Sequence, residues 1–483
     1  MKTEKNLYLL IILLFLSGFF SCNELLNEKT FSTLGESNFY RNSEDAEALL
    51  NGVYANSQGY RDVARDLLTF GEMTTDIMLE SDGAIYALIQ PVQEFTWSTT
   101  HPWLQGLWVR YYRAIFRANT VIDKVPSIAM DEELKTQIIA EGRFLRALNY
   151  YFLLDLFGPT PLILTSETSV TDRPVRANRD EFVNFVRDEF IAVSNILPVI
   201  PRQTNRATKG AALGFLCKLY LQEKNWDNVV RMSKELMDLN AYGLFTDGDR
   251  NELFDIKNKL SNEFIYVHPF PDNPTGDKGN TYLSHAAPPG YKFQFPPKVN
   301  FAAQFKIRSD FLNTFEENDE RRKAFLFEYV NMNNKNIILG KDNVRSFKYP
   351  EDPNGVGDLS SNDFPLLRYS DILLSRAEAL NELNGPIQES IDLINLIRNV
   401  AGVENINLSD YNDKKSLREF ILEERGREFH TEGLRRQDLI RHGKFIEYAI
   451  KRGLNAKEYQ ILFPIPQSEI DKNENLIQNN GYS

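Results

Sequence analysis

Apolar positions recur at helical spacing along most of this chain. In "SEDAEALLNGVYANS" a Ser43 cap precedes Ala46, Leu49, Leu50 and Val53, which share one face. "WLQGLWVRYYRAIFRANTVIDKV" repeats the pattern with Leu104, Leu107, Trp108, Tyr111 and Ile115. The clearest helix is "DEELKTQIIAEGRFLRALNYYFLLDLFG", whose Leu134, Ile138, Leu145, Leu148, Phe152 and Leu156 fall near one stripe. Asp131, Glu132 and Glu133 complement its positive N-terminal end, and Gly158, Pro159 and Pro161 stop it. "RDEFVNFVRDEFIAVSNIL" is a fourth helix, ended by Pro198.

Two helix pairs follow. The first starts near Thr208, turns at Asn225 and runs back from Trp226 to about Leu239. Its length is close to the roughly 34 residues of a tetratricopeptide repeat. "FPLLRYSDILLSRAEALNELNGPIQESIDLINLIRNVAGV" repeats the plan, with a turn at Asn384, Gly385 and Pro386. Ala211, Ala212, Ala377 and Ala379 supply the small side chains that close helix crossings require. A further helix is predicted around "SLREFILEERGREFHTEGLRRQDLIRHGKF". The fold class is therefore mainly α, a tetratricopeptide-like scaffold of helix pairs over about 43–65, 103–240 and 364–445.

Between the pairs the pattern changes. Residues 268–300 hold seven prolines and cannot form a helix interior. They also carry Phe270, Tyr282, Tyr291, Phe293 and Phe295, which argues for an ordered, functional insert within about 243–363. The stretch from about Asp66 to Pro102 is likewise poor in helical periodicity, and its "QEFTWSTT" reads as a short strand. A loop-rich, partly β face is thus expected on the helical scaffold.

The N-terminus raises a separate question. Its apolar run from Leu7 to about Phe20 is short of the roughly 20 residues a membrane span needs. Lys2 and Lys5 precede it, and Ser21 and Cys22 follow, as in a secretory signal cut before Cys22. A plain signal peptide needs no cysteine there; a bacterial lipoprotein signal does, because the thiol accepts the diacylglycerol. Residues 1–21 are expected to be removed and Cys22 to be lipidated, holding residues 22–483 on a membrane by several acyl chains. Loss of Lys2, Lys5 and Glu4 moves the net charge from -12 to -13, a poor balance for nucleic acid or an anionic lipid surface. The only other cysteine is Cys217, so no intrachain disulfide is expected.

Motifs for catalysis and metals are missing. "EERGREFHTE" has Arg427, not Glu, three residues before His430, so it fails the di-iron pattern. No HExxH, GxSxG or Walker sequence occurs. The five histidines (His101, His268, His285, His430 and His442) show no ligand spacing and read as surface or loop residues, and no metal or cofactor is expected. The charges of "EERGREFHTE" read as a solvated or interhelical ion-pair network. Glu141, Arg143 and Arg146 lie on an amphipathic helix and should form buried or half-buried ion pairs. Glu378 lies amid apolar neighbours and must have an arginine or backbone donors nearby.

Aromatic rings outside the helices, with polar groups near them, are the remaining candidates for a binding surface. Trp108 and Trp226 read as packing. Trp103 follows "THP" just before a helix and is the best exposed ring, while Trp97 reads either as strand packing or as a contact. Tyr282, Tyr291 and Phe293 of the insert join them, with Asp76, Asp82 and Arg308 as polar partners.

Five blocks in order give the chain a family likeness: "AEGRFLRALNYYFLLDLFGPTPLIL" (140–164), "ATKGAALGFLCKLYL", "FPLLRYSDILLSRAEALNELNG", "ERGREFHTEGLRRQDLIRHGK" and "FPIPQSEIDKNENLIQNNGY" (463–482). Together with the lipobox-like start, the chain resembles the SusD/RagB family of outer-membrane lipoproteins. The resemblance implies a SusD-like body with a C-terminal signature tail at 461–483. It also implies a surface-exposed, lipid-anchored protein of the outer membrane that binds oligosaccharides, or peptides in some relatives. Such proteins act as the lid of a TonB-dependent transporter and are binders, not enzymes. The rival classes are a surface glycoside hydrolase, which would need two carboxylates facing each other across a cleft, and a pure protein-interaction scaffold.

Overall fold

A computed structural model describes residues 40–482 apart from 58–60, 170, 277, 296–297 and 302–303. Residues 1–21 and Cys22, with the expected cleavage and lipidation, lie outside the described residues.

Helix α1 (Ser43–Ser57) buries Ala46, Leu50 and Val53. Two helices follow within the stretch read as poor in helical periodicity, α2 (Val63–Gly71) and α3 (Tyr86–Gln93), with strand β1 (Met78–Leu79) between them. Each spans little more than two turns, too few for a repeating apolar pattern to emerge. "QEFTWSTT" is not a strand: Gln93 ends α3, Phe95 turns the chain at φ +60°, and Trp97 runs into the core without a pairing strand.

α4 (Pro102–Lys124) begins with a proline, whose missing N–H costs nothing at the first helical position. α5 (Glu132–Phe157) is capped by Asp131, whose carboxylate accepts from the Leu134 amide at 2.9 Å, and it ends at Gly158 with φ +73°. Asn178 caps α6 (Arg179–Ser194) and Thr208 caps α7 (Lys209–Gln222), which pairs with α8 (Trp226–Met237).

The insert contains β2 (Phe264–His268), α9 (Tyr282–Ala286), β3 (Lys306–Ile307), α10 (Ser309–Leu312), β4 (Phe325–Leu326), β5 (Glu328–Val330), β6 (Asn336–Ile338), β7 (Arg345–Ser346) and β8 (Phe364–Arg368). The strands make four two-stranded antiparallel sheets: β1 with β3, β2 with β8, β4 with β7 and β5 with β6.

The scaffold resumes with α11 (Tyr369–Asn384) and α12 (Gln388–Val400), joined at Gly385 with φ +81°. The further helix expected after them is three: α13 (Lys414–Phe429), α14 (Arg435–Arg441) and α15 (Phe445–Lys451), before α16 (Gln467–Lys472) in the tail. The break has a tertiary cause. Thr431 and Gly433 take φ values of +59° and +81°, and the Glu72 carboxylate receives the amides of Thr431, Glu432 and Gly433 at 2.8–3.0 Å.

Helices pack in a continuous series: α1 on α4 and α5, then α5, α6, α7, α8 and α11 in turn, with α12 and α13 on α11. Ala211, Ala212, Ala377 and Ala379 are fully buried at these crossings, as the pattern predicts. Glu378 has its arginine: Arg441 grips both carboxylate oxygens at 2.6 and 2.8 Å, and His442 stands 3.2 Å away. Arg143 and Arg146 share Glu189, while Glu141 meets Arg202 and Arg206.

Apart from the exposed Glu423, the "EERGREFHTE" charges are buried in an ion-pair network and not solvated. Glu424 bridges Arg321 and Arg427, Glu428 meets Arg250 and Arg368, and Glu432 meets Arg368 and Lys348. This network ties α13 to the insert. The histidines also depart from expectation, since His101, His268, His285 and His430 are all buried. Burial lowers their proton affinity, so each packs as a neutral ring. His430, for example, donates from Nδ1 to the Arg427 carbonyl, 2.9 Å away, and lies against Phe325.

Candidate functional site

The two non-helical segments meet through β1 and β3. Met78 pairs with Ile307 and Leu79 with Lys306, which sets "ESD" of the first segment beside the insert. A cleft of about 460 Å³ opens at this junction. It is lined by Leu79, Ser81 and Asp82 of the first segment and by Pro289, Lys306, Lys341, Asp342, Asn343 and Arg345 of the insert.

Charge dominates its lining. Lys306 reaches the Ser81 hydroxyl and stands 3.5 Å from the exposed Asp82 carboxylate. Asp342 accepts from the Ser309 amide at 2.7 Å. Arg345 donates from Nη1 to the Phe305 carbonyl at 3.2 Å and from Nη2 to Asn343 at 3.0 Å, leaving Nε without a partner. Burial pushes its guanidinium down to about 10. Behind β1, Glu80 is 1% exposed and neither carboxylate oxygen has a partner. Burial pushes it up to about 8, Asp82 adds to the rise, and Lys306 and Arg345 oppose it.

An aromatic shelf adjoins the cleft at Pro289. The Pro289 carbonyl accepts from the Tyr329 hydroxyl at 2.6 Å, and the Gly290 carbonyl accepts from the Met332 amide at 2.9 Å. Residues 288–295 therefore rest on the β5–β6 hairpin. Tyr291 packs edge-on against Phe293 at 5.1 Å and Phe347 at 5.1 Å. Glu351 fixes this loop: it accepts from the Tyr291 hydroxyl at 3.0 Å and from the Gln294 amide at 2.8 Å. Tyr291 and Phe293 stay half-buried, each with part of its side chain open to solvent.

Asp82, Tyr291 and Phe293 are thus brought to one face. Two of the remaining predicted contacts are core residues. Trp97 is 5% exposed, its indole N–H donates to the Tyr482 hydroxyl at 2.8 Å, and its ring packs on Phe95 and Phe463. Tyr282 is 1% exposed, donates to the Ser346 carbonyl at 2.8 Å and packs on Tyr349. Neither ring can present a face to a ligand, because each is surrounded by other aromatics.

Asp76 and Arg308 have polar partners of their own. Asp76 is held by Arg435 in two bonds of 2.9 and 2.7 Å, and Arg435 keeps its carboxyl low against the opposing effect of burial. Arg308 spends its Nε on the carbonyls of Thr75 and Met78. Both brace the base of the β1–β3 junction. Trp103 is half-buried, with the Arg65 guanidinium 4.3 Å over its ring.

The sequence reading missed Lys306, Arg345, Tyr329 and Glu351. Lys306 and Arg345 had a signal, since both lie in short stretches where apolar residues alternate with polar ones, "QFKIR" and "NVRSF".

Comparison with known proteins agrees with this architecture. A family model described as "SusD family" matches residues 330–482, and one described as "Starch-binding associating with outer membrane" matches residues 26–221. A SusD-like protein of Formosa agariphila is 24% identical over 99% of this chain and 99% of its own length. The starch-binding protein SusD of Bacteroides thetaiotaomicron is 24% identical over 82% of this chain and 81% of its own. The structure of a laminarin-binding SusD-like protein superposes with a TM-score of 0.77 at 23% identity, covering 92% of this chain and all of the other. Matched at both ends by SusD models and throughout by SusD-like relatives, the chain belongs to the SusD family.

Proposed function

We propose that this protein captures oligosaccharides at the cell surface and hands them to a TonB-dependent transporter, over which it sits as a lid. The observation that carries the reading is the junction of β1 and β3, where a polar cleft adjoins the Tyr291–Phe293 shelf. Sugar hydroxyls find donors and acceptors in the cleft, and a pyranose C–H face finds an apolar ring beside it. Family members of similar length carry names that include starch and laminarin binding.

The lid role requires the chain to stay at the outer membrane. No helix among the described residues is long and apolar enough to cross a membrane, and one matching family description includes association with the outer membrane. A diacylated Cys22 would supply that association. The reading assigns no catalytic step to the cleft.

The test is a binding survey with the purified protein, using affinity electrophoresis against neutral and acidic polysaccharides and calorimetry against their oligosaccharides. Saturable binding of at least one saccharide is expected. Binding to peptides with none to any saccharide would replace the glycan cargo by a peptide one. Release of sugar products on incubation would place the protein among hydrolases.

A further inference from the structure

A buried charge is tolerated when it is paired, and among the described residues the arginines exposed by less than a tenth follow that rule with one departure. Arg146, Arg206, Arg250, Arg321, Arg368, Arg376, Arg398, Arg425, Arg427, Arg435, Arg436 and Arg441 are all buried, and each has a carboxylate within 3.3 Å. Arg345, 1% exposed, is the only other buried arginine among the described residues. It has no carboxylate within 4.0 Å. Its neighbours are a carbonyl and an amide, and its Nε proton is unclaimed.

This cation, which has no ion pair, lines the open cleft. Lys341 stands exposed at the same cleft, and Lys306, next to the Ile307 that bridges Val344, lies beside Arg345 on the neighbouring strand. The carboxylates that line the cleft form no ion pair with Arg345: Asp82 acts on it from a distance and stands 3.5 Å from Lys306, and Asp342 accepts from the Ser309 amide. Glu80, behind the strand, gives no hydrogen bond to either cation. The groups left without partners at Arg345 and Lys341 are therefore donors with positive charge.

We infer that the cleft binds an acidic oligosaccharide, with an anionic substituent of one sugar, a carboxylate or a sulfate ester, seated against Arg345 and Lys341 and an adjacent ring against Tyr291 and Phe293. This rests on the proposed capture of oligosaccharides and narrows it to charged ones. A planar guanidinium suits both oxyanions, and a charge-assisted bond in a partly dry cleft is stronger than one to a neutral hydroxyl. Binding would supply Arg345 with the counter-charge that each of its buried counterparts already has.

The test uses the whole protein and two matched pairs measured by calorimetry. One pair is oligogalacturonate and its carboxyl-reduced form; the other is a sulfated galactan oligosaccharide and its desulfated form. At least one charged member is expected to bind about tenfold or more tighter than its uncharged counterpart. The pair that shows the preference identifies the anion. Binding should weaken as ionic strength rises. Arg345→Gln should bring the charged ligand to the level of the uncharged one, and Lys341→Gln, at an exposed position, should weaken it in a protein whose folding is not in question.

Equal binding of charged and uncharged members, or undiminished binding by Lys341→Gln and a folded Arg345→Gln, would overturn the acidic-ligand inference and leave saccharide capture standing. Binding of neither charged member would also overturn it. Failure to bind any saccharide in the wider survey would remove saccharide capture as well.

Discussion

The Glu378 carboxylate and the Arg441 guanidinium meet in two bonds of 2.6 and 2.8 Å at a point where both side chains are buried. The pair links α11 to α14, and Asp438 takes a further bond from Arg441. Arg441→Ala leaves the carboxylate uncompensated and should cost about 3–5 kcal/mol. Replacing both partners, as Glu378→Gln with Arg441→Met, should cost less than the single change. Urea unfolding of the three proteins measures the difference.

Acid should weaken the fold through the same kind of pair. Glu424 is held at about 2, below its ordinary 4.5, because Arg321 and Arg427 outweigh burial. Its folded value is the lower one, so its contribution is complete above about 4.5 and is lost as pH falls toward 2. Glu428 and Asp371 shift in the same direction. The thermal midpoint should therefore fall progressively below about pH 4.5, and Glu424→Gln should flatten part of that slope.

Glu80 should act in the opposite sense. Its folded value, near 8, lies above the ordinary 4.5. The folded protein holds that proton where the unfolded chain has released it, so this group's contribution declines as pH rises from 4.5 to 8. Glu80→Gln keeps the shape and removes the titration. At pH 9 it should be more stable than the parent, and at pH 4 nearly equal, by thermal unfolding at the two values.

The shelf is tested by Phe293→Ala and Tyr291→Ala. Each should weaken oligosaccharide binding by about threefold to tenfold. Phe293→Ala should leave the unfolding midpoint almost unchanged, since the ring is only half-buried on a surface loop. Tyr291→Ala also frees Glu351, so the loop should become more susceptible to proteolysis.

Anchoring is tested at Cys22. Cells producing the parent chain and fed a radiolabelled fatty acid should yield a labelled protein in the membrane fraction. Cys22→Ser should carry no label and should leave the membrane.

The helices were legible because their signals are local. Asp131, Thr208 and Gly385 mark ends that a single turn of chain determines. The site was only partly legible. Tyr291 and Asp82 stood out by type and position, but β1 and β3 are two residues each and join segments far apart in sequence, so no periodicity announces them. The break between α13 and α14 is similar: its amides are claimed by Glu72, about 360 residues earlier. Arg345 gave no sign of being unpaired, because pairing is settled by residues that only the fold brings near.

The bond from Trp97 to Tyr482 joins residues 385 apart in sequence. A chain synthesised N-terminus first presents that indole hundreds of residues before its phenol arrives. Until then the pocket around Phe95 and Phe463 is incomplete, and greasy surface is open to chaperones and proteases. Removing the segment from Phe463 onward would therefore strip Trp97 of two of its partners and open the core beneath it.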